Sequence, residues 1–197
     1  MRSYGSGISR RSFMVLAALI NATGVGSAFA ATKRPIVRPP GAVQETEFLA
    51  KCNRCQRCVQ VCPTNVIFPV RLTADFVTVN TPEVIFKRSY CNSCMKCTHI
   101  CPTGALLPTS KDEMKIGDAV IVKNDCVAWY WVGCTVCVDK CPLKVIELDE
   151  MKRPVVDQQK CNGCGICEQL CPSQSLRTNI KGRGILIYPI GMGYEPF

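Results

Sequence analysis

The sequence has little of what most enzymes and membrane-spanning proteins need. It contains a single His, His99, and no glycine-rich loop of the kinds that bind nucleotide phosphates. No run of about 18 apolar residues occurs, which excludes a protein with several transmembrane helices. Hydrophobic residues make up 47% of the chain, but the 16 cysteines among 197 residues account for about 8% and leave about 39%. A core of that size is marginal, so covalent or metal bonds are expected to replace part of it.

The first thirty residues resemble a twin-arginine (Tat) export signal. Arg10 and Arg11 stand just before a short apolar stretch, 13–20, and Ala28-Phe29-Ala30 supplies a small-x-small cleavage pattern. The apolar stretch is too short for a transmembrane helix. Residues 1–30 are therefore predicted to direct the protein to the periplasm, where the signal is either removed or retained as an anchor.

The cysteines fall into four groups with nearly the same spacing. Group one is Cys52, Cys55, Cys58 and Cys62; group two is Cys91, Cys94, Cys97 and Cys101; group three is Cys126, Cys134, Cys137 and Cys141; group four is Cys161, Cys164, Cys167 and Cys171. Groups one, two and four have the bacterial ferredoxin spacing C-x2-C-x2-C-x3-C-P, and group three differs only in a longer first gap. Three such cysteines can wrap three corners of an Fe4S4 cube, and the fourth binds a second cluster. The sequence therefore predicts four [4Fe-4S] clusters with all sixteen cysteines as iron ligands.

Other uses of cysteine fit this pattern less well. Structural zinc sites usually combine two separated C-x2-C pairs, without a trailing Pro. A disulfide framework suits the compartment of an exported protein, but Tat systems export proteins that are already folded, which favours a cofactor assembled before export. A c-type haem needs C-x-x-C-H, and Thr98 separates Cys97 from His99. His99 is therefore expected at the surface or beside a ligand.

The positive charge of the chain is expected to offset the charge of the clusters. The formal net charge is +9, and residues 1–30 contribute Arg2, Arg10 and Arg11 to it. An oxidised four-iron cluster with its four thiolates carries about −2. The loaded protein without its signal would be nearly neutral, so no nucleic-acid partner is expected.

The repetition of the groups predicts the α+β fold class. Short β-like runs lie at 84–86, 119–122, 145–148 and 154–156. Short helix, short strand and turn alternate, which predicts duplicated bacterial ferredoxin-like modules, two 2[4Fe-4S] units made of small hairpins and short helices around the clusters. An apolar residue lies five positions after each fourth Cys and is expected to keep water from the sulfides; these residues are Ile67, Leu106, Ile146 and Leu176.

Four segments are predicted along the chain. Residues 1–30 are predicted to be the signal, and residues 31–47 are predicted to be a linker or an extended N-terminal arm. Residues 48–180 are predicted to form the four-motif ferredoxin domain, with motifs at 52–62, 91–101, 126–141 and 161–171. Residues 181–197 are predicted to form a C-terminal strand and tail. The tail could form a final strand or dock on a membrane partner. Trp129, Tyr130 and Trp131 could pack over a cluster or form a docking surface.

The chain as a whole resembles the NapG/MauM family of ferredoxin-type proteins, which is associated with periplasmic nitrate reductase and methylamine dehydrogenase systems. The resemblance rests on the twin-arginine start, the segment Arg38-Pro39-Pro40-Gly41-Ala42, Phe48 four residues before Cys52, and the stretched gap between Cys126 and Cys134. Molybdenum-reductase subunits with four groups stretch the third group elsewhere and match less well.

The resemblance implies an electron-transfer protein without a catalytic site of its own. Electrons would pass from a membrane-bound quinol dehydrogenase-type partner to a periplasmic reductase or a c-type cytochrome, with the chain peripherally associated with the membrane. Alternatives are the iron–sulfur subunit of another periplasmic oxidoreductase and a maturation factor for a periplasmic redox enzyme. Spacing leaves open whether the groups pair sequentially (one with two, three with four) or nested (one with four, two with three). Resemblance to four-cluster electron-transfer subunits favours the nested pairing.

Overall fold

A computed structural model describes residues 35–72, 76–130, 133–176 and 182–192, apart from the side chains of Gln174 and Leu176. These ranges all belong to a single compact unit that begins at Pro35. The predicted signal, 1–30, lies outside the described residues, as do Trp131 and the side chain of Leu176. Within the described ranges, no helix is long and apolar enough to cross a membrane.

Short helices alternate with two-stranded antiparallel sheets. The helices are α1 (Glu45–Lys51), α2 (Arg57–Val61), α3 (Lys96–His99), α4 (Val136–Asp139), α5 (Ile166–Leu170) and α6 (Ser173–Leu176), with a 3₁₀ turn at Val127–Trp129. The strands are β1 (Ile67–Pro69), β2 (Pro82–Val84), β3 (Asp118–Ile121), β4 (Ile146–Leu148), β5 (Pro154–Val156) and β6 (Ile185–Tyr188). In the described residues these strands pair as β1–β2, β3–β6 and β4–β5.

The helices that carry cysteines are short because the chain limits them at both ends. Helices α2, α3 and α5 begin after residues in the left-handed conformation, Gln56 (φ 61°), Met95 (φ 55°) and Gly165 (φ 81°). Each cysteine group ends in Cys-Pro, and a Pro cannot continue a helix because it lacks an N–H and its ring clashes with the preceding turn. The third Cys of each group therefore lies on a single helical turn.

Strand registers place apolar side chains on the inner face of each sheet. Ile67 lies opposite Val84, Ile146 opposite Val156, and Ala119 opposite Ile187. The predicted runs overlap β2, β3, β4 and β5, whereas β1 has no counterpart among them. Phe86 lies beyond the end of β2 and is fully buried.

The elements divide into two halves, each with two cysteine groups. Helix α2 packs on α3 and β1, and α4 packs on α5 and β4. The nested pairing expected from the resemblance is therefore wrong: group one pairs with group two, and group three with group four. The physical reason is that the hairpins β1–β2 and β4–β5 fold each group back on the next one along the chain. The second half carries the additional sheet β3–β6, which packs on α5.

The segment before α1 is extended and packed on the first half, which a solvated linker would not be. Val37 accepts a backbone hydrogen bond from Val84 (2.8 Å), and Val43 donates one to Ala105 (3.2 Å). Arg38 is buried, donates from Nε to the Glu45 carboxylate (2.9 Å) and lies 4.6 Å from the centre of the Phe48 ring. These contacts fix α1 ahead of the first cysteine group.

Candidate metal centres

All sixteen cysteines are thiols that take part in no disulfide. In the described ranges, no three Cys, His, Asp or Glu side chains converge on one point as the ligands of a single ion would. A cubane cluster makes a different demand, because each of its four thiolates binds a different iron atom. The donor set, sulfur alone, is the one that iron–sulfur clusters use.

The cysteine loops of groups one, two and four turn by left-handed residues at matching places. Arg54 (φ 56°), Ser93 (φ 57°) and Gly163 (φ 72°) each stand two positions after the first Cys of their group. Together with the left-handed residues before the helices, they make the backbone alternate between left-handed and other conformations. Successive backbone N–H groups can then face the same concave side of the loop. Such a concavity suits the negative charge of a cluster and its thiolates. The stretched group three departs from this pattern, with Gly133 (φ 123°) just before Cys134.

One cavity gathers cysteines from groups one and two. It is lined by Cys91, Cys94 and Cys97 of group two and by Cys62, the fourth Cys of group one. Apolar side chains complete the wall, and they include Ile67, Val84, Met95 and Ile116. We name this set of four cysteines site B.

The second cavity repeats the same exchange in the other half. It is lined by Cys161, Cys164 and Cys167 of group four and by Cys141, the fourth Cys of group three. Its apolar wall includes Leu143, Val145, Ile146 and Ile187. We name these four cysteines site D. In both cavities the residue expected to shield the sulfides, Ile67 or Ile146, lines the wall.

Group three gathers around the fourth Cys of group four. Burial, together with the neighbouring charges of Cys126, Cys134 and Cys171, raises the pKa of Cys137 to about 12. These four cysteines are named site C.

Group one is brought together in the same way. Burial raises the pKa of Cys58 to about 11, with added contributions from Cys52 and Cys55. These three cysteines are named site A, and Cys101 at the end of the α3 segment is its expected fourth member.

Hydrogen-bond donors surround three of the four Cys-Pro sulfurs. The Thr64 hydroxyl lies 3.5 Å from Cys62 Sγ, and the Ser173 hydroxyl lies 3.3 Å from Cys171 Sγ, so both can donate to a thiolate. Backbone N–H groups donate as well, from Gly184 to Cys171 (3.2 Å) and from Leu106 to Cys101 (3.5 Å). The Thr103 hydroxyl lies 3.7 Å from Cys101 Sγ. After Cys141 the corresponding residue is Leu143, which has no hydroxyl.

These donors change the acidity of the thiols they face. Burial raises the pKa of Cys62, but the Thr64 hydroxyl and nearby backbone N–H groups outweigh burial, and the pKa is lowered. The pKa of Cys101 is lowered in the same way, against the effect of burial, by donors from Leu106 and Thr103. Donors to sulfur also stabilise the more negative state of a bound cluster, and they raise its reduction potential. Sequence reasoning missed these hydroxyls, although a Thr or Ser directly after Cys-Pro is the signal that could have found them.

The remaining candidates from the sequence lie at the surface or in packing positions. His99 is exposed on α3. The Trp129 ring contacts both Lys123 and Arg153, whose charged groups lie 4.7 and 4.4 Å from its centre. Tyr130 is 55% exposed beside it, in the stretched loop of group three. The Trp129 side chain is thus held by two cations through cation–π contacts.

Comparison with known proteins agrees with this chemistry. Residues 51–105 and 132–175 match the family described as the 4Fe-4S dicluster domain, with one match in each half. Over 147 residues the chain is 36% identical to the ferredoxin-type protein NapF of Haemophilus influenzae, an alignment that covers 73% of this chain and 78% of that protein. It is 35% identical over 174 residues to the methylamine utilization ferredoxin-type protein MauM of Methylophilus methylotrophus, covering 81% and 74%. It is 33% identical over 173 residues to the ferredoxin-type protein NapG of Escherichia coli, covering 79% and 74%. The chain therefore belongs to the family of ferredoxin-type proteins that includes NapF, NapG and MauM and carries 4Fe-4S dicluster domains.

Proposed function

We propose that the sixteen cysteines hold four [4Fe-4S] clusters, one at each of sites A to D, and that the protein is an electron-transfer relay. The observation that carries this proposal is the pair of apolar cavities at sites B and D. Each is lined by three cysteines of one group and the fourth cysteine of its neighbour. This is the exchange that two-cluster ferredoxins use. Site A is completed by Cys101 on the same principle.

The clusters would supply one-electron reduction and oxidation, and the chain supplies binding and surroundings. The thiolates bind iron, and the left-handed loops aim backbone N–H groups at the bound charge. Ile67 and Ile146 keep water from the cavities, and the hydroxyls of Thr64, Thr103 and Ser173 adjust the potentials at three sites. We assign no substrate chemistry to the chain itself.

We further propose a place for this relay at the periplasmic face of the inner membrane. The twin-arginine segment at 1–30 supports export of a protein that has already received its cofactors. A membrane-bound quinol dehydrogenase-type protein would donate electrons, and a periplasmic reductase, such as nitrate reductase, or a c-type cytochrome would accept them. The similarity to ferredoxin-type proteins NapG and MauM supports this choice of system.

The test is anaerobic reduction by quinol. Menaquinol or ubiquinol is added to membranes with the purified protein, with and without the candidate membrane partner, and the cluster absorbance is followed. Bleaching that depends on the partner is expected. If the clusters are reduced by dithionite but never by quinol with the partner present, the proposed relay is wrong.

A matched pair of variants separates the relay from a maturation role. Cys55→Ser, which removes an exposed ligand of site A, should stop electron flow and leave the amount of partner enzyme unchanged. Asn53→Ser, in the same loop, should preserve both. Loss of partner enzyme in Cys55→Ser with normal flow per remaining enzyme would instead identify a maturation factor.

A further inference from the structure

The two halves of the protein meet at the cysteine loops of groups two and four. The backbone N–H of Cys91 donates to the backbone carbonyl of Cys164 at 2.8 Å. These two cysteines line the cavities of sites B and D respectively. One hydrogen bond therefore joins a ligand loop of one half to a ligand loop of the other.

Two further contacts hold the loops together at this place. Ile116 lines the cavity of site B and donates its N–H to the Asn162 carbonyl in the loop of group four at 2.9 Å. Gly165, in the same loop, lies so close to the fully buried Phe86 ring that an added Cβ would stand 1.9 Å from Phe86 Cδ1. The group-four loop is thus held before Cys164 by the hydrogen bond at Asn162 and after it by the close contact of Gly165 with Phe86.

We propose that the Cys91–Cys164 contact is the electronic junction between the two halves, so that the four sites are connected in the order A, B, D, C. This inference rests on the proposed relay function. Within each half, the packing of α2 on α3 joins A to B, and the packing of α4 on α5 joins C to D. The order along the wire therefore differs from the order of the groups along the sequence.

The surroundings of the sites agree with this order. Sites B and D, in the middle, are lined by apolar side chains. At the ends, Cys55 of site A is exposed, and the stretched loop of site C exposes Tyr130. One-electron donors and acceptors, a quinol-oxidising protein and a reductase or cytochrome, would exchange electrons at these two ends. Each transfer oxidises one site and reduces its neighbour by one electron, with no bond made or broken.

The order is tested by removing one site at a time and recording the EPR spectrum of the fully reduced protein. The first Cys of each group is replaced by Ser, in the variants Cys52→Ser, Cys91→Ser, Cys126→Ser and Cys161→Ser. Cys126 and Cys161 are a matched pair because both are buried to the same degree, 7% and 8% exposed. Cys91→Ser removes site B, the only neighbour of site A, so the signal of site A should lose its spin–spin splitting. Cys161→Ser removes site D, the only neighbour of site C, so the signal of site C should lose its splitting.

The outer-site variants give the opposite expectation. Cys52→Ser and Cys126→Ser should leave three sites that are still coupled to one another. An isolated, unsplit signal in Cys126→Ser would mean that the halves join through site C. An isolated, unsplit signal in Cys52→Ser would mean that they join through site A. Either result overturns the proposed order.

A second variant keeps all sixteen ligands. Phe86→Leu loosens the junction and should weaken the magnetic coupling between the halves while the coupling within each half is retained. Phe68→Leu, on β1, is the control and should leave both unchanged. Unaltered coupling between the halves in Phe86→Leu overturns the junction. Iron analysis separates the two proposals, because wild-type protein with far fewer than about sixteen irons refutes the four-cluster function itself.

Discussion

Gly165 is the position where one added methyl group tests the packing between the halves most severely. It has φ +81°, and an added Cβ would stand 1.9 Å from Phe86 Cδ1 and 2.4 Å from Cε1. Phe86 has no exposed surface, so its ring does not border solvent into which it could turn to relieve the clash. Gly104 offers a matched control, because it has φ +71° and no atom lies within 4 Å of the position of its added Cβ. Both Gly165→Ala and Gly104→Ala therefore place an alanine in a left-handed backbone conformation. Only Gly165→Ala also places the new Cβ against the Phe86 ring.

The expected magnitudes follow from these two contributions. A left-handed conformation costs a non-glycine residue about 1–2 kcal/mol, which applies to both variants. Overpacking against a buried ring adds about 1–3 kcal/mol, which applies to Gly165→Ala alone. For a chain of this size, 1 kcal/mol shifts the melting temperature by about 2–4 °C. Gly104→Ala should therefore lower it by about 2–8 °C, and Gly165→Ala by about 2–12 °C more.

The assay is anaerobic thermal denaturation of the loaded protein, followed by circular dichroism at one fixed scan rate. Iron content is measured beforehand, so that only preparations with equal loading are compared. Equal shifts in the two variants would refute the close packing of Gly165 on Phe86, and with it the tight junction between the halves.

Three other predictions concern single side chains. Thr64→Val removes the hydroxyl that lies 3.5 Å from Cys62 Sγ, so the reduction potential of site B should fall in a potentiometric EPR titration; an unchanged potential would contradict the role of this hydroxyl. Glu168 is fully buried, and its Oε2 accepts a hydrogen bond from the backbone N–H of Ile187 in β6 at 2.8 Å. Glu168→Leu should therefore lower the free energy of unfolding measured in urea by about 1–3 kcal/mol. An unchanged free energy of unfolding would contradict a stabilising role for this hydrogen bond. In iron-free protein at pH 8, iodoacetamide should label Cys62 before Cys97, because the reagent reacts with thiolates and not with thiols. Burial raises the pKa of Cys97 to about 12. At Cys62 the hydrogen-bond donors outweigh burial and lower the pKa. The two rates should converge as the pH rises toward the pKa of Cys97, and equal rates at pH 8 would contradict the difference in pKa.

The local parts of the fold could be predicted from the sequence because they depend on local spacing. The Cys-Pro pairs and the residues before each third Cys determine where the short helices end and begin. The run at Pro154–Val156 forms strand β5, as expected. Strand β1 was missed because Ile67-Phe68-Pro69 follows a cysteine group so closely that no separate periodic run is visible. The conclusion of family membership also depends on local motifs, and it is confirmed by the comparisons.

The arrangement of the groups in space could not be derived in this way. Spacing within a group is the same whether the groups pair sequentially or nested, so the nested pairing rested on resemblance and was wrong. Pairing is decided by hairpin closure, which sets Ile67 opposite Val84 in one half and Ile146 opposite Val156 in the other. The burial of Arg38 between Glu45 and Phe48 was equally invisible, because a single basic residue in a proline-rich segment reads as solvated.

The most direct test of the account is the amount of iron and acid-labile sulfide per chain in protein purified without oxygen. Four clusters held by sixteen cysteines predict about sixteen atoms of each. A value of about eight, or zinc in place of iron, would contradict the four-cluster relay.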